Sequence, residues 1–132
     1  MSTGYAKKLN GYFHSQYELE EGSTADNIYA TFEEDIQYQL GADKVGNREM
    51  LVQAANVVRQ TPKSERIVKV SNVVEDGSKV SFHMYVRYHN PKTGDLDESH
   101  TDSEWVFNED GKVAEVKPQQ PEDVARMWED FN

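Results

Sequence analysis

Val80-Ser81-Phe82-His83-Met84-Tyr85-Val86-Arg87-Tyr88-His89 and Leu96-Asp97-Glu98-Ser99-His100-Thr101-Asp102-Ser103-Glu104-Trp105-Val106-Phe107 are the two arms whose pairing decides the fold of this chain. Between them, Asn90-Pro91-Lys92-Thr93-Gly94-Asp95 concentrates the residue types that make turns, so a long β-hairpin is predicted. Pairing His89 with Leu96 sets Arg87 opposite Glu98, Tyr85 opposite His100 and His83 opposite Asp102 on one face. The other face then carries Tyr88 opposite Asp97, Val86 opposite Ser99, Met84 opposite Thr101 and Phe82 opposite Ser103. Opposite charges across strands attract, and a slip of one residue would turn every side chain to the wrong face. The hairpin is thus expected to have one charged face and one apolar face dotted with small hydroxyls.

Outward from the hairpin, Arg66 to Val74 alternates as a strand, and Asp76-Gly77 signals the turn into Val80. Asp110-Gly111 turns into a last strand, Lys112 to Lys117. The first half of the chain is mostly helical in period. Tyr5, Leu9, Tyr12, Phe13, Gln16, Tyr17 and Glu20 share a helix face, with Ser2 or Thr3 as its expected cap. Ser23 or Thr24 caps a short second helix carrying Ile28, Tyr29 and Phe32. Ile36, Tyr38 and Leu40 alternate with Asp35, Gln37 and Gln39 in a short strand, and 41–46 is expected to be a loop. Asn47 caps a third helix whose stripe is Met50, Leu51, Ala54, Ala55, Val57 and Val58. Pro121 starts a C-terminal helical segment with Val124, Met127, Trp128 and Phe131 on one face. This order of elements predicts an α+β protein in which helices cover the apolar face of a curved antiparallel sheet.

A single domain, 1–132, is expected, large enough to bury about two-thirds of the unfolded surface. The net charge is −10, which disfavours a nucleic-acid partner because phosphate binding needs concentrated Lys and Arg. The chain has no Cys, so disulfides, thiolate metal sites and cysteine nucleophiles are excluded. Neither an apolar leader nor a membrane-length segment is seen, and a cytoplasmic protein is the expectation.

Three local stretches resemble the nuclear transport factor 2-like superfamily, which includes SnoaL-like and ketosteroid-isomerase-like proteins. Ile28-Tyr29-Ala30-Thr31-Phe32-Glu33-Glu34-Asp35 is similar to its helix running into an acidic pair before the first strand. Val45-Gly46-Asn47-Arg48-Glu49 resembles the glycine that opens its third helix, and Trp105-Val106-Phe107-Asn108-Glu109-Asp110-Gly111-Lys112-Val113 its last two strands. The resemblance covers nearly the whole chain. It implies a cystatin-like cone: a sheet wrapped around a long N-terminal helix, two further helices, and a pocket at the wide end. It also implies a homodimer through the outer sheet face, here His83, Tyr85, Arg87, Glu98, His100 and Asp102. The isomerase chemistry does not carry over. Its base position falls on Leu40, its protonated acid on Ser103, and its helix-borne tyrosine on Gln16, with Tyr17 adjacent and Tyr12 one turn earlier.

The expected inward set is Tyr12, Gln16, Ile36, Tyr38, Phe82, Met84, Val86, Tyr88, Thr101, Ser103 and Trp105. From it come the candidate ligand-binding residues Tyr12, Gln16, Tyr38, Phe82, Met84, Tyr88, Thr101, Ser103 and Trp105, lining a mostly apolar pocket for a small apolar molecule. Buried hydroxyls cost free energy unless bonded, and a sealed core would not need several. Asp97, beside Tyr88, is the one carboxylate on the inward face. If the pocket does chemistry, proton transfer (isomerisation, cyclisation or dehydration) is the expected class, with Tyr38, Asp97 and Ser103 the catalytic candidates. His83, His89, His100 and Asp102 invite a metal reading, but their outward or turn positions favour cross-strand pairing or subunit contact. No metal or cofactor is therefore expected. A non-catalytic protein-interaction module of the same fold stays open as the alternative.

Overall fold

A computed structural model describes residues 4–39 and 45–118. The first helix, α1 (Tyr5–Phe13), runs directly into a π-helical segment, His14–Leu19. Then follow α2 (Thr24–Thr31), β1 (Phe32–Gln39), β2 (Val45–Gly46), α3 (Arg48–Gln60), β3 (Ile67–Asp76), β4 (Lys79–His89), β5 (Leu96–Phe107) and β6 (Val113–Pro118). The strands form one six-stranded sheet in the order β2-β1-β6-β5-β4-β3. Four of its pairings are antiparallel, as expected, but β1 runs parallel to β6, so the sheet is mixed. The parallel pair is possible because one helix and four strands, β2, α3, β3, β4 and β5, separate β1 from β6, a long crossover that no tight hairpin could make.

The β4–β5 register is the expected one at every position, from His89 opposite Leu96 through His83 opposite Asp102 to Phe82 opposite Ser103. On β3, Ser71 pairs with His83 but Val74 with Ser81, leaving Asn72 and Val73 opposite Phe82 alone. This is a β-bulge, and Asn72 sits at φ 54°, a left-handed conformation that Asn tolerates better than most residues.

Caps follow chain chemistry in two of three cases. The Ser23 hydroxyl accepts from the Asp26 amide, and the Asn47 side chain from the Met50 amide. For α1 the expected Ser2 or Thr3 cap is replaced by Gly4, at φ 83°, with no side-chain cap; Ser2 and Thr3 lie outside the described residues. The α1 amide end is served from afar instead, as Ala6 N–H donates to Glu75 on β3 at 2.8 Å. That carboxylate stands where the helix dipole favours negative charge.

The core lies between the helices and one sheet face. Leu9, Ile28, Val80 and Val113 are wholly buried, with Phe32, Ile36, Phe82, Trp105 and Phe107 nearly so. Ala55 and Val58 are the buried part of the α3 stripe. Residues 41–46, expected as a loop, are described only at Val45 and Gly46, which pair with Gln39 and Tyr38 as a short strand. Leu40 and the helix expected from Pro121, with Val124, Met127, Trp128 and Phe131, lie outside the described residues. No helix among the described residues is long and apolar enough to cross a membrane.

Candidate functional site

A cavity of about 120 Å³ lies between the helices and the helix-covered face of the sheet. The first helix contributes Tyr12 and Phe13, the π-helical segment Tyr17, and α3 Leu51, Ala54, Ala55 and Val58. Phe32 and Tyr38 reach it from β1, Phe82, Met84, Val86 and Tyr88 from β4, and Ser99, Thr101, Ser103 and Trp105 from β5. Val68, Val116 and Pro118 complete the wall. Among the described residues, none that lines the cavity carries a formal charge.

Aromatic rings supply most of the wall. Trp105 is at the centre, with Phe13 stacked on it at 5.6 Å and 23° and with Phe32 and Phe82 edge-on at 5.0 and 5.5 Å. Tyr12 meets Trp105, Phe32 and Phe13 edge-on as well. Against these rings runs a ladder of small hydroxyls along β5. Alternation at period two brings Ser99, Thr101 and Ser103 to the same face. Thr101 and Ser103 are 8% and 7% exposed, yet their hydroxyls, and that of Ser99, bond to no described residue. Their oxygens are not sealed off, because Arg48 Nε is the one sealed, unpaired side-chain polar atom among the described residues. The ladder is open to whatever fills the cavity.

The helix side of the cavity is held from behind by a satisfied polar network. The π-helical segment widens the helix by one residue per turn, which seats Gln16 behind the cavity wall. Gln16 is wholly buried, and its Oε1 accepts from Asn27 Nδ2 at 2.8 Å and Arg59 Nη1 at 2.9 Å. Its Nε2 donates to the Thr24 carbonyl at 3.3 Å and to the Tyr12 hydroxyl at 3.5 Å. Arg59 also donates to Thr24 Oγ1, while Arg66 bonds Glu20 and the Tyr17 and Arg59 carbonyls. The two guanidiniums thereby satisfy carbonyls that the end of the segment leaves over.

Burial pushes the Tyr12 phenol up to about 12, with the Gln16 hydrogen bond opposing it. Burial, and then its neighbour Tyr12, holds Tyr17 well above the ordinary value. Both therefore remain neutral hydrogen-bonding groups at any physiological pH. A raised folded-state value means the folded chain holds its proton where the unfolded chain, near 10, releases it. The resulting stability is complete below pH 10 and lost as pH rises towards 12, about 3 kcal/mol from Tyr12 alone. Ultraviolet titration followed with circular dichroism should show these two phenols ionising only as the protein unfolds. Ionisation of all seven tyrosines near pH 10 in a folded protein would contradict this burial.

Eight of the nine residues expected to bind ligand line the cavity; Gln16 does not, because its amide is spent on Asn27 and Arg59. Tyr38 and Ser103 are at the wall, but Asp97 is not. Although paired with Tyr88 as expected, Asp97 is exposed and accepts from Asn90 Nδ2 at 2.7 Å, so it belongs to the hairpin turn. Ile36 is buried in the core away from the cavity wall. Phe13, Tyr17, Ser99 and the α3 residues were not singled out as ligand contacts. Ser99 had a signal in the sequence, since it continues the Thr101 and Ser103 alternation.

The outer sheet face is a linked row of side chains. His83 Nδ1 lies 2.8 Å from Asp102 and its Nε2 3.2 Å from His100 Nδ1, while Tyr85 donates to Glu98 at 2.6 Å. Arg87 Nε donates to the Glu65 carbonyl at 2.7 Å, and His89 sits 2.9 Å from the Glu65 carboxylate. Among the described residues no group of three or more His, Asp or Glu is disposed to hold a metal ion.

The chain matches no protein-family model, and no curated protein matches it by sequence. Solved structures do match. A candidate SnoaL-like polyketide cyclase from Jannaschia sp. CCS1 superposes at TM-score 0.67 with 15% identity, over 88% of this chain and 84% of that one. TsrD from Streptomyces laurentii gives 0.66 and 12%, over 90% of each chain. A nuclear transport factor 2-like protein of unknown function from Exiguobacterium sp. 255-15 gives 0.60 and 17%, over 84% of this chain and 97% of that one. The chain thus has the nuclear transport factor 2-like, cystatin-like fold shared by the SnoaL-like proteins.

Proposed function

We propose that this chain is a small-molecule-binding protein that holds a mostly apolar ligand in the cavity. One observation carries the proposal: Thr101 and Ser103 are buried with hydroxyls that bond to no described residue, facing an otherwise apolar space. Such groups cost free energy unless something in the cavity bonds them. A SnoaL-like isomerase, cyclase or dehydratase would also need a base in reach of its substrate. Among the described residues no carboxylate, histidine or lysine lines the cavity, which favours holding a ligand over transforming it. Thermal shift across a broad metabolite panel tests this, since a ligand bound only by the folded state raises its stability. Saturable shifts with the native chain, lost in Ser103→Leu, are expected; no shift with any compound would reject the cavity as a binding site.

The second part of the proposal is a homodimer through the outer sheet face. Its support is the ordered row His83, Tyr85, Arg87, Glu98, His100 and Asp102, whose side chains are already fixed by one another and by Glu65. His100→Glu would set a carboxylate beside Asp102, repeated across a two-fold axis. Sedimentation velocity should show the dimer weakening by about tenfold or more. A wild-type chain that stays monomeric at high concentration would refute the interface.

A further inference from the structure

We infer that the ligand is an uncharged molecule of one ring bearing one or two oxygen atoms; this rests on the cavity being a binding site. Size sets the first limit. The space is about 120 Å³, whereas a protein cavity of about 150 Å³ holds benzene and drug-sized sites run from about 300 Å³ upward. A ring with short substituents, about six to ten non-hydrogen atoms, fills it. A fused polycycle is larger than this space.

Charge sets the second limit. Among the described residues the wall has no charged group, and the phenols of Tyr12 and Tyr17 keep their protons. Among the described residues, the two guanidiniums that back the helix side of the cavity are committed elsewhere. Arg59 bonds Gln16, Thr24 and the Glu20 and Gly22 carbonyls, and Arg66 bonds Glu20 and the Tyr17, Arg59 and Thr61 carbonyls. An anion entering the cavity would give up its hydration and meet no counter-charge. The acidic chain as a whole, at −10, would also repel it.

Wall chemistry sets the third. Phe13 stacked on Trp105, with Phe32 and Phe82 edge-on, presents flat apolar surfaces suited to a planar or nearly planar ring. Facing them, Thr101 and Ser103 offer hydroxyls that can each donate and accept. A ligand oxygen placed there relieves both; a pure hydrocarbon would leave them unbonded.

Isothermal titration calorimetry with p-cresol, benzamide, benzoate, 2-naphthol and estradiol tests each limit on the intact chain. p-Cresol and benzamide are expected to saturate, benzoate to bind at least tenfold more weakly than isosteric benzamide, and estradiol not to bind. Thr101→Val, which removes one hydroxyl at nearly constant shape, should weaken p-cresol several-fold while the ligand-free protein melts no lower than the native chain. Benzoate equal to benzamide would overturn the neutrality, and 2-naphthol or estradiol tighter than p-cresol would overturn the single ring. In both cases the cavity still binds, so the proposed function survives. Silence of all five probes alongside hits from the metabolite panel would overturn the ligand class alone, and silence of both would overturn the two readings together.

Discussion

Trp105→Ala should lower stability by about 4 kcal/mol, roughly 12–15 °C in melting temperature for a chain of this length. Trp105 is 4% exposed and its ring lies within 6.3 Å, centre to centre, of Tyr12, Phe13, Phe32, Phe82 and Phe107. Truncation removes the shared partner of two helix rings and three strand rings at once. Ring pairs contribute about 0.5–1.5 kcal/mol each beyond the area they bury, so the loss exceeds that of an isolated core residue. Trp105 also borders the existing cavity, so the space it leaves merges with that cavity and cannot easily collapse. The whole stability of a domain is only about 5–15 kcal/mol, so a loss of this size removes about a quarter of it or more. Chemical denaturation gives the measurement. A loss below about 1 kcal/mol would show that Trp105 is not the packing centre.

Gln16→Leu is the second large expected effect, about 2–4 kcal/mol, although leucine is apolar and similar in size. The side chain accepts from Arg59 and Asn27 and donates to Thr24 and Tyr12, with no surface exposed to water. Leucine would take one of four acceptors from the Arg59 guanidinium, leaving Thr24 Oγ1 at 3.1 Å and the Glu20 and Gly22 carbonyls at 3.4 Å. The cost is then mainly that of a partly buried charge short of one acceptor, with the Thr24 carbonyl also losing its Gln16 donor. It follows that Arg59→Met added to Gln16→Leu should recover a large part of the loss, because no charge is left to solvate. A double-mutant cycle reads this directly. Strict additivity would mean that Gln16 acts through packing alone.

The hairpin register was legible in the sequence because its charged pairs agree with its hydrophobic alternation. Arg87 opposite Glu98 and Phe82 opposite Ser103 are consequences of one alignment. The helix-three cap at Asn47 and the helix-two cap at Ser23 were legible for a similar reason, since each is a local bond three residues long. What escaped reading depends on distant partners. Gln16 looked like a cavity residue because its helical position matched Tyr12, yet it is turned away by Arg59, forty-three residues later. The π-helical segment has no pattern of its own in the sequence. Asp97 had the correct strand neighbour but sits beyond the buried part of the sheet, exposed and bonded by Asn90. The parallel pairing of β1 with β6 is set by how the whole chain closes, and local alternation carries no information about it. Of the candidate site, the strand-borne residues were readable and the helix-borne ones only in part.

The bulge at Asn72 and Val73 lies on β3, and neither residue borders the cavity. Bulges increase local twist and bend a sheet, so part of the shape of the space is set by residues that never touch what occupies it. Chemistry and dimensions are then controlled by different parts of the sequence. Exchanges at Thr101, Ser103 or Met84 can alter preference while the enclosure keeps its outline, and changes at the bulge can widen or narrow it without touching that lining. A lineage built on this scaffold could explore ligands along two separate routes, and a designer could do the same.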